Sequence, residues 1–376
     1  MDGVCDARFA AVREAFVANL AERGEVGAAV AVAVGGRMVV DLWGGFADGA
    51  RTRPWHRDTL VDFFSVGKAL GTVCVLRLVE RGLLALDVPL ARAWPEFAAA
   101  GKEAITLRHV LSHQAGLPGI AEPLPDGAML DWSRMVHALE RQPPWWPPGT
   151  AHGYHVNTFG WLLGEAVRRA AGLTLGALLR AEIAGPLGAD VHIGLPHAEH
   201  DRVAEFLWPP MAPPDGAGLT GEARMRWSTY WNPPGLSGAG WVNTPEWRAA
   251  ELPSTNGHGT ARGVARVYAV LAAGGTLDGV RVLGAETLRA AVAEQSSGPD
   301  LILERPSRFG LGFQLTQPER PLGPNPGAFG HFGAGGSLGF CDPDAGVAFG
   351  YVMNDLGPRF QNPRNRALIE AVYASL

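Results

Sequence analysis

The stretch Asp62-Phe63-Phe64-Ser65-Val66-Gly67-Lys68-Ala69-Leu70 decides how the rest of the chain is interpreted. It places a serine three residues before a lysine, at the predicted start of a long apolar helix. Residues three apart share one face of a helix, so the Ser65 hydroxyl and the Lys68 amine are expected to meet. The first helical turn also presents unpaired N–H groups, which stabilise a developing oxyanion. The pattern predicts an acyl-transfer nucleophile with its own proton acceptor.

A structural interpretation of the same residues stays open at this point. Ser65 fits an ordinary helix N-cap, and Lys68 fits a residue whose stem carries its charge to solvent. The helix itself is predicted to be buried on nearly every side and to stop at Gly82. Its apolar positions are Leu70, Val73, Cys74, Leu76, Leu78 and Val79.

The composition is that of a globular protein with about two domains. The chain has 376 residues, of which 47% are apolar and 18% charged, a balance without signs of disorder. The net charge is -5 and no basic run occurs, so nothing indicates nucleic acid or an anionic membrane as a partner. The 12 tryptophans fall mostly in loop-like stretches, which favours an aromatic-lined cleft for a small molecule.

The cysteines and the first residues favour a cytoplasmic protein. Cys5, Cys74 and Cys341 are odd in number and two lie in apolar runs, so we expect buried free thiols. Residues 1–8 are polar and acidic and lack the pattern of a signal peptide. No apolar run reaches the about 18 residues of a membrane span. A monomer and a homo-oligomer are both compatible with these features.

The order of elements predicts an α+β fold. A helix over residues 7–23 precedes a hairpin with Gly35-Gly36 at its turn, and a helix over residues 364–376 closes the chain. These elements suggest one antiparallel sheet built by both ends of the chain, flanked by the terminal helices, with a mostly helical region inserted. The predicted strands are residues 26–34, 38–43, 309–314, 328–332, 337–342 and 347–354.

The inserted region is expected to form a second domain. Residues 1–62 and 238–376 are predicted to form the domain with the sheet, and residues 63–237 the mostly helical domain. Residues 122–150, rich in Pro and Trp, are expected to be a stiff loop that either walls a cleft or only connects elements. Residues 201–240 are expected to be irregular. Helices are predicted over residues 157–171, 173–187, 261–273 and 285–293.

Five stretches together resemble the serine β-lactamase-related hydrolases, in particular the family VIII carboxylesterases, which are similar to class C β-lactamases. In chain order they are Ser65-x-x-Lys68, Ile105–Pro118, Tyr154 before its helix, Asn256–Ala261 and Phe329–Gly336. The resemblance implies a β-lactamase/transpeptidase-like fold, in which a central antiparallel sheet flanked by helices stands beside an all-helical domain. It also implies an active site at the interface of the two domains.

The resemblance implies roles for individual residues. Ser65 corresponds to the nucleophile and Lys68 to its partner amine, and Tyr154 matches the tyrosine whose oxygen activates the serine. The backbone N–H groups of Ser65 and Ala334 correspond to the oxyanion hole. The residues expected to bind substrate are His331, Phe332, Gly333, Trp145, Trp146 and His155.

Two departures from the family's pattern bear on the substrate. The lactamase-type Tyr-x-Asn is replaced by Tyr154-His155-Val156, with Asn157 one place late and expected to cap the next helix. His331-Phe332-Gly333 stands where the family carries Lys-Thr-Gly, whose Lys and Thr bind the carboxylate of a β-lactam or peptide. A neutral His and a Phe cannot duplicate that charge-assisted contact. We therefore infer neutral esters as substrates, with weak or no β-lactam turnover.

Other chemical signals in the sequence are weaker. Gly335-Gly336-Ser337-Leu338-Gly339 fits Gly-x-Ser-x-Gly, but that elbow needs a helix after the serine, whereas Ser337 begins a β-run. His197-Ala198-Glu199-His200 lacks zinc-site spacing. No phosphate loop or dinucleotide fingerprint occurs, so neither a metal nor a cofactor is expected. A serine–histidine pair would have to use one of four histidines with plainer roles, namely His113, His155, His258 and His331.

Together these features predict a serine carboxylesterase that acts on short- to medium-chain neutral esters through an acyl-Ser65 intermediate. The same nucleophile fits an acyltransferase or a weak β-lactamase or amidase. A third hypothesis is a non-enzymatic sensor in which the acyl group persists on the serine.

Overall fold

The computed structural model describes residues 1–209 and 214–376. In that part of the chain the strands are β1 (Asp2–Cys5), β2 (Gly27–Val34), β3 (Arg37–Gly45), β4 (Val61–Asp62), β5 (Val191–His192), β6 (His258–Gly259), β7 (Thr276–Leu277), β8 (Val280–Arg281), β9 (Ser296–Pro299), β10 (Pro306–Phe309), β11 (Gln314–Leu315), β12 (Phe329–Phe332), β13 (Leu338–Asp342) and β14 (Val347–Met353). The α-helices are α1 (Ala10–Glu22), α2 (Val66–Glu80), α3 (Leu107–Leu111), α4 (Trp132–Arg141), α5 (Thr158–Ala171), α6 (Leu175–Leu179), α7 (Gly185–Leu187), α8 (Gly221–Trp231), α9 (Pro245–Ala249), α10 (Ala261–Ala272), α11 (Ala285–Val292) and α12 (Pro363–Ala374).

One large sheet combines strands from both ends of the chain. Nine strands follow each other in the order β1-β3-β2-β14-β13-β12-β11-β10-β9, and every neighbouring pair is antiparallel. Strand β2 pairs with β14 near the middle, with Val30 opposite Tyr351. The predicted antiparallel sheet with helices inserted between its two halves is therefore confirmed.

Helices cover both faces of this sheet. Helix α10 lies so close to β14 that a Cβ on Gly350 would collide with the Ala261 carbonyl. The next residue, Tyr351, points to the opposite face because side chains alternate along a strand. There its hydroxyl donates to Glu25, which also pairs with Arg364 of α12. Helix α12 packs against α1 on that side, so the terminal helices flank the sheet as predicted.

Helix α2 is buried between the helical region and the sheet. It packs against α5, α6 and β12, and almost all of its residues are buried. Gly82 follows its end with a φ of 70°, a conformation that suits glycine. The predicted buried helix and its stop are confirmed, and the first turn of α2 lies next to the strand that carries His331.

Several predictions of local structure were wrong. Residues 122–150 contain α4, which the Asp131 carboxylate caps by accepting the Arg134 N–H, and residues 201–240 contain α8. The strand predicted over residues 309–314 is interrupted, because residues 310–313 form the turn between β10 and β11, where Gly312 has a φ of 69°. Strand β1 at the sheet edge was not predicted, because a short polar segment carries little strand signal.

The cysteines remain as thiols. Cys74 and Cys341 are buried, Cys5 is half-buried, and none is in a disulfide, as predicted. Among the helices of the described segments, none combines the length and the apolar character that a membrane crossing requires.

Candidate active site

The turn before Ser65 is held in a strained conformation. Phe64 has a φ of 50°, which a bulky residue adopts only where its surroundings enforce it. The Asp62 carboxylate accepts the Phe64 N–H at 2.7 Å and the Trp247 indole N–H at 2.9 Å. Burial raises the pKa of Asp62, and these two donors act in the opposite direction. Ser65 is thereby fixed at the N-cap position of α2, where its side chain makes no capping bond.

Lys68 is completely buried one turn into α2. Its Nζ lies 2.9 Å from Ser65 Oγ, 2.6 Å from the Val156 carbonyl oxygen and 3.0 Å from the Ser254 carbonyl oxygen. Burial moves the pKa of Lys68 well below its usual 10.5, since it disfavours the charged amine. A neutral amine has two N–H groups and one lone pair. In that neutral form, Lys68 has a lone pair that can accept the proton of the Ser65 hydroxyl 2.9 Å away.

The Ser254 carbonyl is a site group that the sequence did not indicate. It also lies 3.3 Å from Ser65 Oγ, so it holds both the amine and the hydroxyl from a segment far away in the chain. Only the nearby Asn256–Ala261 match hinted at this segment. No histidine nitrogen bonds to Ser65 Oγ in residues 1–209 and 214–376. The geometry therefore favours the lysine over a histidine as the partner of Ser65.

Tyr154 lies beside the same pair and is fully buried. The centroid of its ring is 4.9 Å from Lys68 Nζ. Within the described residues its phenol oxygen has no hydrogen-bond partner of standard geometry. Burial raises the pKa of Tyr154, and the adjacent Ser65 side chain is the strongest influence in the opposite direction. The backbone of Tyr154 is fixed by Asp300, because the Tyr154 N–H donates to Asp300 Oδ1 at 3.0 Å.

The Ala334 segment is fastened to the Ser65 segment by a second serine. Ser337 Oγ donates to the Phe63 carbonyl at 2.9 Å, and the Gly333 N–H donates to the Ser337 carbonyl at 2.7 Å. Strand β13 follows Ser337, so the Gly-x-Ser-x-Gly match is not a nucleophile elbow, as predicted. In the described part of the chain, the N–H groups of Ser65 and Ala334 donate to no protein acceptor. Both residues line one cavity, so these donors are available to a ligand.

The stretch His331-Phe332-Gly333, which stands where the family carries Lys-Thr-Gly, has no positively charged side chain. His331 is buried, and its Nδ1 lies 2.7 Å from the Phe332 carbonyl oxygen. Burial lowers the pKa of His331 to about 3, so the ring is neutral at physiological pH. The Phe332 side chain belongs to the hydrophobic core. A neutral, buried His331 and a Phe332 in the core cannot make a charge-assisted contact with a carboxylate, as we inferred from the sequence.

The cavity beside Ser65 is small and mostly apolar. Its volume is about 160 Å³, and aromatic rings form much of its wall. The polar side chains in its wall are those of Ser65, Asn157, Tyr230, Ser237 and Thr255. The lining residues are Phe64, Ser65, Val156, Asn157, Trp208, Tyr230, Trp231, Gly235, Ser237, Ala239, Thr255, Ala334 and Phe360.

The predicted substrate-binding aromatics lie elsewhere. The Trp145 indole donates to the Gly119 carbonyl and the Trp146 indole to the Ala151 carbonyl, so both shape the loop before Tyr154. His155 is fully buried, with its Nδ1 2.7 Å from the Gly153 oxygen and its Nε2 accepting the Leu117 N–H. None of the three lines the cavity. His331, Phe332 and Gly333 lie behind its wall, where they carry Ala334.

Asn157 was predicted to cap helix α5, and this was wrong. It stands at the N-cap position, but its side chain makes no capping bond. Its Nδ2 donates to the Thr229 carbonyl at 2.8 Å, and its Oδ1 accepts the Thr255 hydroxyl at 3.0 Å. Asn157 therefore ties α8 to the 255 segment and lines the cavity.

Comparison with known proteins agrees with this architecture. The sequence profile of the Beta-lactamase family matches residues 12–373. The esterase/beta-lactamase LipL of Mycobacterium tuberculosis (strain ATCC 25618 / H37Rv) is 37% identical over 370 residues, which cover 94% of this chain and 83% of LipL. Two crystal structures superpose closely. A family VIII carboxylesterase has a TM-score of 0.92 at 41% identity, covering 100% of this chain and 99% of that one. A penicillin-binding protein homologue from Caulobacter crescentus has a TM-score of 0.91 at 44% identity, with the same coverage.

The fold and the site define a serine hydrolase of the β-lactamase/transpeptidase-like architecture, with a large antiparallel sheet and a Ser-x-x-Lys pair at the head of a buried helix. The chain belongs to the beta-lactamase family, and within it resembles the family VIII carboxylesterases. The fold and the resemblance predicted from the sequence are confirmed.

Proposed function

We propose that this protein is a carboxylesterase that hydrolyses short- to medium-chain neutral esters through an acyl-Ser65 intermediate. The observation that carries the proposal is the buried Lys68 amine, whose Nζ lies 2.9 Å from Ser65 Oγ beside an apolar cavity. A serine hydroxyl becomes a useful nucleophile when an adjacent base takes its proton. The names of the esterase/beta-lactamase LipL and of the family VIII carboxylesterase point to the same chemistry.

The proposed reaction has two symmetrical halves. Lys68 takes the hydroxyl proton while Ser65 Oγ bonds to the ester carbon, and the N–H groups of Ser65 and Ala334 stabilise the oxyanion. When this tetrahedral intermediate collapses, the bond between the carbonyl carbon and the alcohol oxygen breaks. The alcohol oxygen receives the proton, and acyl-Ser65 remains. Tyr154 is proposed to pass this proton, because its phenol is adjacent to the Ser65 side chain and has no other partner among the described residues. Water then repeats the same steps and releases the acid.

The shape of the cavity supports a short acyl group. A volume of about 160 Å³ holds only a few carbon atoms beside the serine, and aromatic walls favour an uncharged chain. The neutral His331 supports a substrate without a carboxylate next to the reacting carbonyl.

Acyl transfer to an alcohol or amine is the second candidate. The tryptophans Trp208 and Trp231 wall the cavity, and a site that excludes water leaves acyl-Ser65 open to another acceptor. The relative LipL is named both esterase and beta-lactamase, and weak opening of a lactam by this protein would use the same groups. Product analysis with and without added alcohol separates transfer from hydrolysis.

The test of the proposal combines labelling and kinetics. A fluorophosphonate is expected to label Ser65, as located by mass spectrometry, and Ser65→Ala is expected to abolish hydrolysis of p-nitrophenyl butyrate. Ser133→Ala, an exposed serine on α4, is the matched control and is expected to keep full activity. Full activity in Ser65→Ala would end the proposal, and a product burst without turnover would identify the acyl-holding sensor.

We also propose that residues 1–62 with 238–376 and residues 63–237 act as the two domains, with the site between them. The Ser65 cavity supports this, since Ala334 from one part and Val156 from the other both line it. A cytoplasmic location is proposed from the three unpaired cysteines, because thiols persist in reducing compartments.

A further inference from the structure

A second, larger cleft adjoins the cavity beside Ser65. It has a volume of about 560 Å³, and both spaces are lined by Trp208, Tyr230, Ala334 and Phe360. Because Ala334 lines both spaces, a carbonyl that accepts its N–H is expected to have one substituent in each space. We call the larger space the outer cleft. Its remaining wall includes Glu304, Pro358 and Arg359, which are exposed.

The outer cleft carries an excess of positive charge. Three arginines and one glutamate line it. Arg226 is compensated, since its guanidinium lies 3.1 Å from Glu222 and 3.6 Å from Glu304. Arg305 and Arg359 form no ion pair in residues 1–209 and 214–376. The guanidinium of Arg305 stands 5.3 Å from the centroid of the Phe360 ring, which places it at the entrance to the Ser65 cavity.

A third cation lies behind this wall. Arg320 is 8% exposed, and its Nη2 donates to the Pro306 carbonyl at 3.2 Å. Its Nη1 has no hydrogen-bond partner within the described residues. Burial and the charge of Arg305 lower the pKa of Arg320 to about 10, while Asp300 and Glu319 act in the opposite direction, so it stays charged at neutral pH. Asp300 and Glu319 partly compensate Arg320, and Arg305 and Arg359 remain the arginines of the cleft without an ion pair in the described residues. The chain as a whole carries a net charge of -5, so this positive region is local.

We propose that the outer cleft binds the alcohol part of the substrate and that Arg305 and Arg359 select alcohols bearing a carboxylate. This inference rests on the proposed esterase function and adds the chemistry of the leaving group. The acyl part stays covalently attached in the small apolar cavity, whereas the alcohol part has to leave, which the open and exposed outer cleft allows. An uncharged aryl butyrate remains a substrate, and a carboxylate on its ring improves it.

Two ester probes test this selection. For 4-carboxyphenyl butyrate and its neutral analogue 4-carbamoylphenyl butyrate, the ratio of kcat/KM values is expected to fall roughly 3- to 10-fold in Arg305→Gln/Arg359→Gln, the range of exposed ion pairs. The ratio is the readout, because an effect of the double variant that is common to both esters cancels in it. The wild-type ratio is expected to fall in 0.5 M salt, roughly a 4 Å screening length. Arg289→Gln, an exposed arginine on α11, is the control and is expected to leave the ratio unchanged.

A binding experiment keeps this inference separate from catalysis. The amide analogues 4-butyramidobenzoate and 4-butyramidobenzamide cannot be turned over as esters, and calorimetry with Ser65→Ala gives their Kd values. Tighter binding of the benzoate, lost in the double arginine variant, supports the inference even if no ester is hydrolysed. Equal Kd values, or an ester ratio that the double variant leaves unchanged, overturn it while the esterase proposal stands.

Discussion

At the scale of single residues, Lys68 differs from the other fully buried lysine of this chain. Lys102 donates to three carbonyl oxygens, those of Ala99, Glu140 and Gln142, which matches the three N–H groups of an ammonium. Lys68 has two carbonyls and one hydroxyl. Burial lowers the pKa of both, that of Lys102 to about 8. The difference in partners, more than the burial, equips Lys68 to act as a base.

We predict that Lys68→Met removes both activity and a pH-dependent part of stability. Loss of the base is expected to lower kcat by about 10²- to 10⁴-fold. Between the lowered folded pKa and the usual value of 10.5, the unfolded chain binds a proton at Lys68 that the folded chain does not. Stability of the native protein therefore rises with pH in that window. Urea unfolding at pH 7, 8.5 and 10 is expected to show this rise, and the variant is expected to show a smaller one, because Lys102 still contributes.

Lys102→Met is the matched control for this experiment. It also removes a lysine with a lowered pKa, so it is expected to flatten the pH dependence of unfolding while ester hydrolysis remains. Parallel unfolding profiles for native protein and Lys68→Met would show that Lys68 is charged in the folded state.

At the scale of elements, the site depends on the join between the start of α2 and the turn before β13. Ser337 makes this join through the Phe63 carbonyl. The backbone approach is close, because a Cβ on Gly333 would collide with the Phe63 oxygen and with Ser337 Oγ. The distance between the two proposed oxyanion donors, the N–H groups of Ser65 and Ala334, is therefore fixed by the Ser337 hydroxyl and by the absence of a side chain at Gly333.

We predict that Ser337→Ala lowers kcat about 10-fold with KM changed less than about twofold, because a misplaced donor weakens only the transition state. The lost hydrogen bond is expected to cost about 1 kcal/mol of stability. Ser375→Ala, which removes the bond from Ser375 Oγ to the Ala371 carbonyl on α12, is the control with a similar stability cost. If both variants lowered kcat equally, Ser337 would have only a structural role.

At the scale of the whole molecule, one buried cluster joins the two ends of the chain. Glu25 before β2 accepts the Tyr351 hydroxyl of β14 and pairs with Arg364 of α12 at 3.4 Å. Arg364 also donates to the Gly24 carbonyl and to Asp355. Burial raises the pKa of Glu25 from 4.5 to about 7, although the Arg364 charge opposes the rise.

This cluster predicts a loss of stability with rising pH. Between pH 4.5 and about 7, the folded protein holds a proton on Glu25 that the unfolded chain has released. The Glu25 contribution to the free energy of unfolding is therefore expected to fall by up to about 3 kcal/mol across that window. The buried histidines His113, His155, His258 and His331 act in the opposite direction, because burial lowers their pKa values. The fall is therefore expected in the difference between native protein and Glu25→Gln, measured by urea unfolding between pH 4.5 and 8. Glu14→Gln, on an exposed position of α1, is expected to behave like the native protein.

Features that depend on local sequence patterns could be predicted from the sequence. Features that depend on tertiary contacts could not. Ser65 and Lys68 meet because helical spacing alone brings them together. The two-ended sheet followed from where the β-rich runs lie along the chain. Trp145 and Trp231 look alike in sequence, both beside prolines, yet only Trp231 lines the cavity. Which ring faces the site depends on how α8 packs, and α8 itself was hidden in a stretch rich in Gly, Pro and Trp.

Because β2 pairs with β14, a strand that is synthesised early has no partner on that side until nearly the whole chain has been made. At the ordinary pace of translation, roughly 15 to 60 seconds pass between the synthesis of Val30 and that of its partner Tyr351. Throughout that interval the early hairpin presents an apolar, unpaired edge, which is a template for aggregation. Chaperone protection during synthesis is therefore more important for this chain than for one whose central strands are neighbours in sequence.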